Sequence, residues 1–300
     1  MNENASASLP AFRSEAGRAR YMAAYDAVLA EWPVAYEEVD VPTRLGSTHV
    51  VASGPGDAPA LVLLPSFAGT ATVWRLNVEA LSRQFRTYAV DVIGQPGKSR
   101  AVRRLRDRHD YAGWMGEVLD GLGVARASFV GCSFGGFLAA NQAVATPTRV
   151  ERVVMIDPVG VFASQYWRLT WAMRVRGPAT RLARRLVGRA RAPTDIVRRP
   201  PRDMTWARLM AVTMSERAEV SVISPTVFSR RQLAAITAPT LLLIGAEETL
   251  YDAHAYLALA KRRMPALEGA VVEGADHIAA MAQPDAVNAR TLAFLSAPLP

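Results

Sequence analysis

The chain has 300 residues, half of them apolar, enough to bury one large core with an excursion, and nothing in it is repetitive, collagen-like or low in complexity. Lys and Arg number 35 against 27 Asp and Glu, a net charge of +8, but the surplus is local: residues 161–231 hold 15 Arg, no Lys and only 4 acidic residues, which leaves the remainder slightly acidic. A block of that sign can attract nucleic acid, anionic lipid or an acidic substrate; it contains no recognisable nucleic-acid-binding module, so a solvated helical face is the preferred reading and no nucleic-acid partner is expected.

Residues 1–9 are small and polar, without the basic start and apolar stretch of a secretory signal, and no later apolar run approaches membrane-spanning length. The expectation is a soluble cytoplasmic protein with no membrane span. Its single cysteine, Cys132, cannot form an intramolecular disulfide, which fits a reducing compartment.

The first element in chain order is an amphipathic helix over 14–32, with Tyr21, Tyr25, Val28 and Trp32 on one face, expected to pack on the body. Short apolar or alternating runs at 36–41, 48–52, 60–64, 87–90, 128–130, 153–156, 240–244 and 270–272 read as eight strands. Helical periodicity occupies 73–84, 111–122, 134–144, 253–263 and 284–295. The first two strands, joined through Leu45-Gly46-Ser47, form a hairpin, and the later ones alternate with helices, which requires right-handed crossovers and a mostly parallel sheet. The fold class is α/β, with a core of 1–160 and 232–300 and a helical insertion, Arg-rich, over 161–231.

In open α/β sheets chemistry collects beyond the carboxyl ends of the strands, so the residues there are read together. Ser133 lies in Gly131-Cys132-Ser133-Phe134-Gly135, between a strand and a helix. A G-x-S-x-G run in that context is a nucleophile elbow, a turn so tight that its flanks favour glycine and its serine hydroxyl stands clear of the sheet edge. Because that geometry presents the central residue, Cys132 is read as a small buried side chain and not as a catalytic thiol.

The four histidines narrow the choice of base. His49 falls in a strand, His109 in an Arg-rich loop and His254 at a helix start. His277, in Gly274-Ala275-Asp276-His277 after the last strand, is the candidate base. For the acid that orients it, Glu248 ranks first and Asp252 second within the loop after Gly245, with Glu247 beside them and Asp157 at the end of the preceding strand. The chain order Ser, acid, His suits an imidazole that takes the serine proton while a buried carboxylate sets the imidazole tautomer.

Gly94-Gln95-Pro96-Gly97-Lys98-Ser99 ends like a phosphate-binding loop, but Val92 stands where that motif needs glycine. Metal-ligand spacings are also missing, with no H-E-x-x-H and no cysteine pair.

Taken with Trp32-Pro33-Val34, the segment 43–50, Ser53-Gly54-Pro55, the segments 61–65 and 87–94, the run Gly245-Ala246-Glu247-Glu248-Thr249-Leu250-Tyr251-Asp252 and Gln283-Pro284, these features make the chain resemble α/β-hydrolases, in particular bacterial carboxylesterases of the naproxen-esterase type. The resemblance spans nearly everything except the insertion. It implies the α/β-hydrolase fold and a serine esterase working through an acyl-enzyme with no cofactor. In that family's pattern the acid is the fourth residue of the Gly245 segment, which selects Glu248. One departure concerns the oxyanion hole: the family's His-Gly pair after the third strand is replaced by Pro65-Ser66, so the hole is expected from the backbone amides of Phe67 and Phe134, with the Ser66 hydroxyl as an added donor.

The insertion reads as a cap. Trp167, Trp171 and Val175 recur at four-residue spacing, as do Leu182 and Leu186, and Gly177-Pro178 separates the two helices. Phe162, Trp167 and Trp171 are candidate substrate contacts. The expected function is cleavage of a small hydrophobic ester; the alternatives are thioester, lactone or cyclisation chemistry on the same triad, or a non-catalytic ligand-binding member. Oligomeric state is not legible.

Overall fold

The computed structural model describes residue 9 and residues 11–164, 204–217 and 223–298. Strands β1 (Tyr36–Thr43), β2 (Gly46–Ser53), β3 (Ala60–Leu64), β4 (Arg86–Val90), β6 (Ala127–Cys132), β7 (Val150–Ile156), β8 (Thr240–Gly245) and β9 (Glu268–Val272) lie in the order β1-β2-β4-β3-β6-β7-β8-β9. The expected eight strands are joined by a ninth, the two-residue β5 (Arg100–Ala101), which pairs with β2. So short a run has no periodicity of its own; pairing with Gly46 and Ser47 creates it.

β2 is antiparallel to β1 and to β4, and every pairing from β4 through β9 is parallel. The predicted hairpin and mostly parallel sheet are both present. β6 and β8 are buried at every position, as expected of near-continuous apolar runs covered on both faces. β1 sits at the edge, and its Glu37, Glu38 and Asp40 charge that edge. The strand order reverses between β3 and β6, so their carboxyl ends flank the crevice where ligands bind in sheets of this kind.

Helix α1 (Glu15–Leu29) starts where the Ser14 hydroxyl accepts the Gly17 amide at 3.0 Å, and Tyr21, Tyr25 and Val28 are buried completely against the body. Trp32 completes that face, its indole N–H donating to Ser53 Oγ at 3.1 Å. The helix expected over 73–84 is divided into a 3-10 turn, Ala71–Leu76, and a short helix α2, Val78–Ser82. Buried Asn77 stands at the break, donating from Nδ2 to Ala280 O at 3.1 Å and to Asn288 Oδ1 at 2.8 Å, contacts made more than 200 positions away in sequence. Helices α3 (Arg108–Gly121) and α4 (Phe134–Ala145), followed by Ala253–Arg263 and Pro284–Ser296, match their predicted spans to within a few residues.

The two ends of the 161–231 segment meet, because Phe228 N donates to Val161 O at 3.1 Å and Phe228 stacks on Phe137 at 5.5 Å. Helix Met204–Glu216 packs on α1, with Arg20 paired to Glu216 at 2.8 Å and Thr205 donating to Glu31 at 2.8 Å. Trp167, Trp171, the leucine pair and Gly177-Pro178 lie outside the described residues. Among the described residues no helix is long and apolar enough to cross a membrane.

Candidate active site

Ser133 occupies the turn between β6 and α4 at φ 53° and ψ −110°, a left-handed conformation that costs a non-glycine residue about 1–3 kcal/mol. The flanking glycines are there for space: a Cβ on Gly131 would lie 2.1 Å from Gly135 O, and one on Gly135 would lie 2.0 Å from Leu64 O. The second approach also presses the start of α4 against the end of β3, so the elbow and the 65–69 loop are neighbours.

Two other loops reach the serine. Ser133 Oγ donates to His277 Nε2 at 2.9 Å, and His277 Nδ1 donates to Glu248 Oε2 at 2.6 Å. The Glu248 side chain is wholly buried, and its other oxygen, Oε1, accepts the amides of Thr249 at 2.6 Å and Leu250 at 2.8 Å. With Nδ1–H committed to Glu248, the Nε2 lone pair faces the serine hydroxyl, the arrangement that allows proton transfer off serine. Burial opposes charge on His277, but the hydrogen bond and charge of Glu248, reinforced by Asp157 and Asp276, raise its pKa above the ordinary value.

Two of the rival carboxylates, Asp252 and Asp157, are engaged elsewhere. Asp252 caps helix Ala253–Arg263, its Oδ1 accepting the Ala255 amide at 2.7 Å. Glu247 is half-buried, and its backbone N–H donates to Ala275 O at 2.8 Å. Asp157 is fully buried and accepts the amides of Gly245 at 2.7 Å and Ala279 at 2.8 Å. Cys132 is buried, and desolvation pushes its thiol pKa well up, which disfavours a thiolate. Of the remaining histidines, His49 is buried in β2 with Nδ1 at 2.9 Å from Asp40, while His109 and His254 are exposed in first helical turns.

Phe134 N begins α4, where the helix dipole favours negative charge. Among the described residues neither the Phe134 nor the Phe67 amide donates to a protein acceptor. The Pro65-Ser66 replacement leaves a tight turn, closed by Gly69 N donating to Ser66 O at 2.9 Å, with Ala68 at φ 57°. Gln95, which sequence reasoning passed over, holds this loop: buried beneath it, its Oε1 accepts the Ala68 amide at 2.6 Å. The only signal for it was its place in the Gly94–Ser99 loop. That loop folds onto Asp91, with the Lys98 amide donating to Asp91 Oδ2 at 2.7 Å and Ser99 Oγ to Asp91 O at 2.6 Å. These donors of the phosphate-loop look-alike are thus already used internally.

Phe67 itself is 49% exposed, with the Arg217 guanidinium 6.0 Å above its ring. Phe162 is buried edge-on to Tyr256 at 5.8 Å, and Arg263 donates to its carbonyl at 2.6 Å.

A serine on a strained strand-to-helix turn at the sheet's switch point, reached by an acid from the loop after β8 and a histidine from the loop after β9 in the order Ser, Glu, His, is the design of an α/β-hydrolase. The chain belongs to the alpha/beta hydrolase family, whose profile matches residues 61–290. Carboxylesterase YbfK of Bacillus subtilis (strain 168) is 34% identical over 287 residues, covering 92% of this chain and 93% of that protein. The crystal structure of that carboxylesterase, CesB (YbfK), superposes with a TM-score of 0.83 over 95% of this chain and 100% of the other. Naproxen esterase (carboxylesterase NP) from Bacillus subtilis is 30% identical with a TM-score of 0.81, covering 94% and 99%.

Proposed function

We propose that this protein is a carboxylesterase that cleaves the ester of a small hydrophobic substrate through a covalent acyl-enzyme. The observation that carries the reading is the continuous hydrogen-bond chain from Ser133 Oγ to His277 Nε2 at 2.9 Å and from His277 Nδ1 to Glu248 at 2.6 Å, and the likeness to carboxylesterases over more than nine-tenths of the chain supports it.

In this reading Ser133 Oγ attacks the ester carbonyl carbon while its proton passes to His277 Nε2, and Glu248 stabilises the imidazolium. The tetrahedral oxyanion accepts from the amides of Phe67 and Phe134, each worth about 3 kcal/mol of transition-state stabilisation. Collapse expels the alcohol, which takes the proton from His277 and leaves the acyl group on Ser133. Water, deprotonated by His277, then attacks the acyl carbonyl, releasing the carboxylic acid and restoring the serine. No redox partner or cofactor enters these steps. A cytoplasmic setting belongs to the same reading, and a single buried thiol that cannot form an intramolecular disulfide agrees with it.

The test is a panel of nitrophenyl esters, acyl thioesters and lactones assayed with wild type and Ser133→Ala, together with fluorophosphonate labelling. Ester turnover and labelling that both vanish in Ser133→Ala are expected. Faster turnover of thioesters or lactones would redirect the substrate class, and turnover or labelling that survives in Ser133→Ala would overturn the reading.

A further inference from the structure

The turn after β7 holds a buried carboxylate for which ester cleavage has no step. Asp157 adopts φ 46°, a left-handed conformation unusual for a residue with a side chain, and it is completely buried. Its Oδ1 accepts the amide of Gly245, three residues before Glu248, at 2.7 Å. Its Oδ2 accepts the amide of Ala279, two residues after His277, at 2.8 Å. The same turn grips the elbow from both sides: Ser133 N donates to Ile156 O at 2.8 Å, and Ser133 O accepts from Val159 N at 3.4 Å. One turn therefore touches all three loops that carry the hydrogen-bond chain, and the two carboxylate contacts span 88 and 122 positions of sequence.

We propose that Asp157 is a positioning residue for ester cleavage, its carboxylate clamping the Glu248 loop to the His277 loop while the turn it closes fixes Ser133. The proposal rests on the Ser133 esterase reading. Asp157 does not replace Glu248 as the orienting acid, because His277 Nδ1 already donates to Glu248 and both Asp157 oxygens are taken by backbone amides. Strained backbone persists where surroundings over-determine it, and here the three loops do so.

The clamp also carries an ionisation. Burial raises the Asp157 pKa, His277 lowers it, Glu248 raises it and the two amides lower it, leaving it at about 8. The groups that share its field are His277, Glu248 and Asp276 on the triad loops, Cys132 on the elbow and Tyr251 beyond β8. Above that pH the two amides face a carboxylate, a stronger acceptor than a neutral carboxyl, and a second negative charge sits near the imidazole. Ionisation therefore strengthens these two hydrogen bonds while the buried charge costs the fold stability.

The experiment measures kcat and KM for p-nitrophenyl butyrate across the pH range in wild type, Asp157→Ala and Asp157→Asn, with active sites counted by fluorophosphonate titration so that only folded enzyme enters kcat. Asn keeps one acceptor oxygen and the volume but not the charge, so it carries the test if Ala fails to fold. The expected result is a kcat lowered about 10- to 100-fold in Asp157→Ala at nearly constant KM, the scale of a small misplacement of reacting groups. Asp157→Asn should fall in between and lose the wild-type ionisation near 8. If both variants melt at lower temperature yet keep the wild-type kcat per titrated site and the wild-type pH profile, the residue is merely structural and the proposal fails. A wild type no more active than Ser133→Ala would instead sink the esterase reading, and this proposal with it.

Discussion

Replacing Glu248 by glutamine changes one heavy atom and reverses the logic of the hydrogen-bond chain. In the wild-type protein Glu248 Oε1 accepts two loop amides, at 2.6 and 2.8 Å, and Oε2 accepts from His277 Nδ1 at 2.6 Å. Glutamine has one oxygen. Two backbone donors hold that oxygen on the loop side, so its NH2 group faces the imidazole. Two donors cannot face each other in a wholly buried site, and the ring shifts to the tautomer that carries its proton on Nε2. That proton then points at Ser133 Oγ, 2.9 Å away, and the base has no lone pair for the serine hydrogen. The equivalent Asp-to-Asn change in a serine-protease triad lowers kcat about 10⁴-fold, or about 5 kcal/mol, and the same magnitude is expected here. Because size is preserved and the loop amides remain satisfied, the thermal midpoint should move little. Steady-state kcat on a nitrophenyl ester, compared among Glu248→Gln, Glu247→Gln and Asp252→Asn, is the assay. Should Glu248→Gln keep more than about a tenth of wild-type kcat, or Asp252→Asn lose as much, the tautomer argument is wrong.

The raised pKa of His277 predicts that kcat/KM climbs with pH through an ionisation above 6.5, and that Glu248→Ala moves that limb to lower pH; a wild-type limb below 6.5 would contradict the geometry. The sign for stability follows from the unfolded values: imidazolium paired with Glu248 stabilises the fold below about 6.5, and the contribution is lost as pH rises through the higher folded pKa. Asp157 acts in the same direction, since the unfolded carboxyl ionises near 3.8 and the folded one at about 8, so wild type should lose stability relative to Asp157→Asn between those pH values; urea titrations showing the opposite slope would refute it. Ser133→Gly relieves a left-handed backbone worth about 1–3 kcal/mol but gives up the buried hydrogen bond to His277, worth about 1 kcal/mol, so it should leave the unfolding free energy unchanged or slightly raised while abolishing fluorophosphonate labelling; a marked loss of stability would refute the strain. Gln95→Ala frees the Ala68 amide and loosens the 65–69 loop, and kcat should fall between about 10- and 1000-fold with KM nearly unchanged; an unaltered kcat would show that the loop stays in place without it.

Much of the site was legible because its demands are local. The G-x-S-x-G turn permits no Cβ at Gly131 or Gly135, so the elbow announces itself in five residues. His277 could be singled out from four histidines by its place after the last strand, and Glu248 ranked first by its distance from Gly245. The alternation of strands and helices and the opening hairpin depend on periodicities of a few residues, which the chain displays openly. What tertiary structure alone decided are the features satisfied at long range. Asn77 divides a helix that periodicity reads as continuous because its amide is claimed by Ala280 and Asn288. β5 exists only because β2 lies beside it. Spacing ranked Glu248 above Asp252 without assigning either a partner; only in the fold does Asp252 cap a helix and Glu248 meet the imidazole. Gln95 and Asp157 acquire their partners only when separate loops are brought together at the sheet edge. A buried donor or acceptor must find a partner whatever its distance along the chain, and local pattern does not record that partner's address.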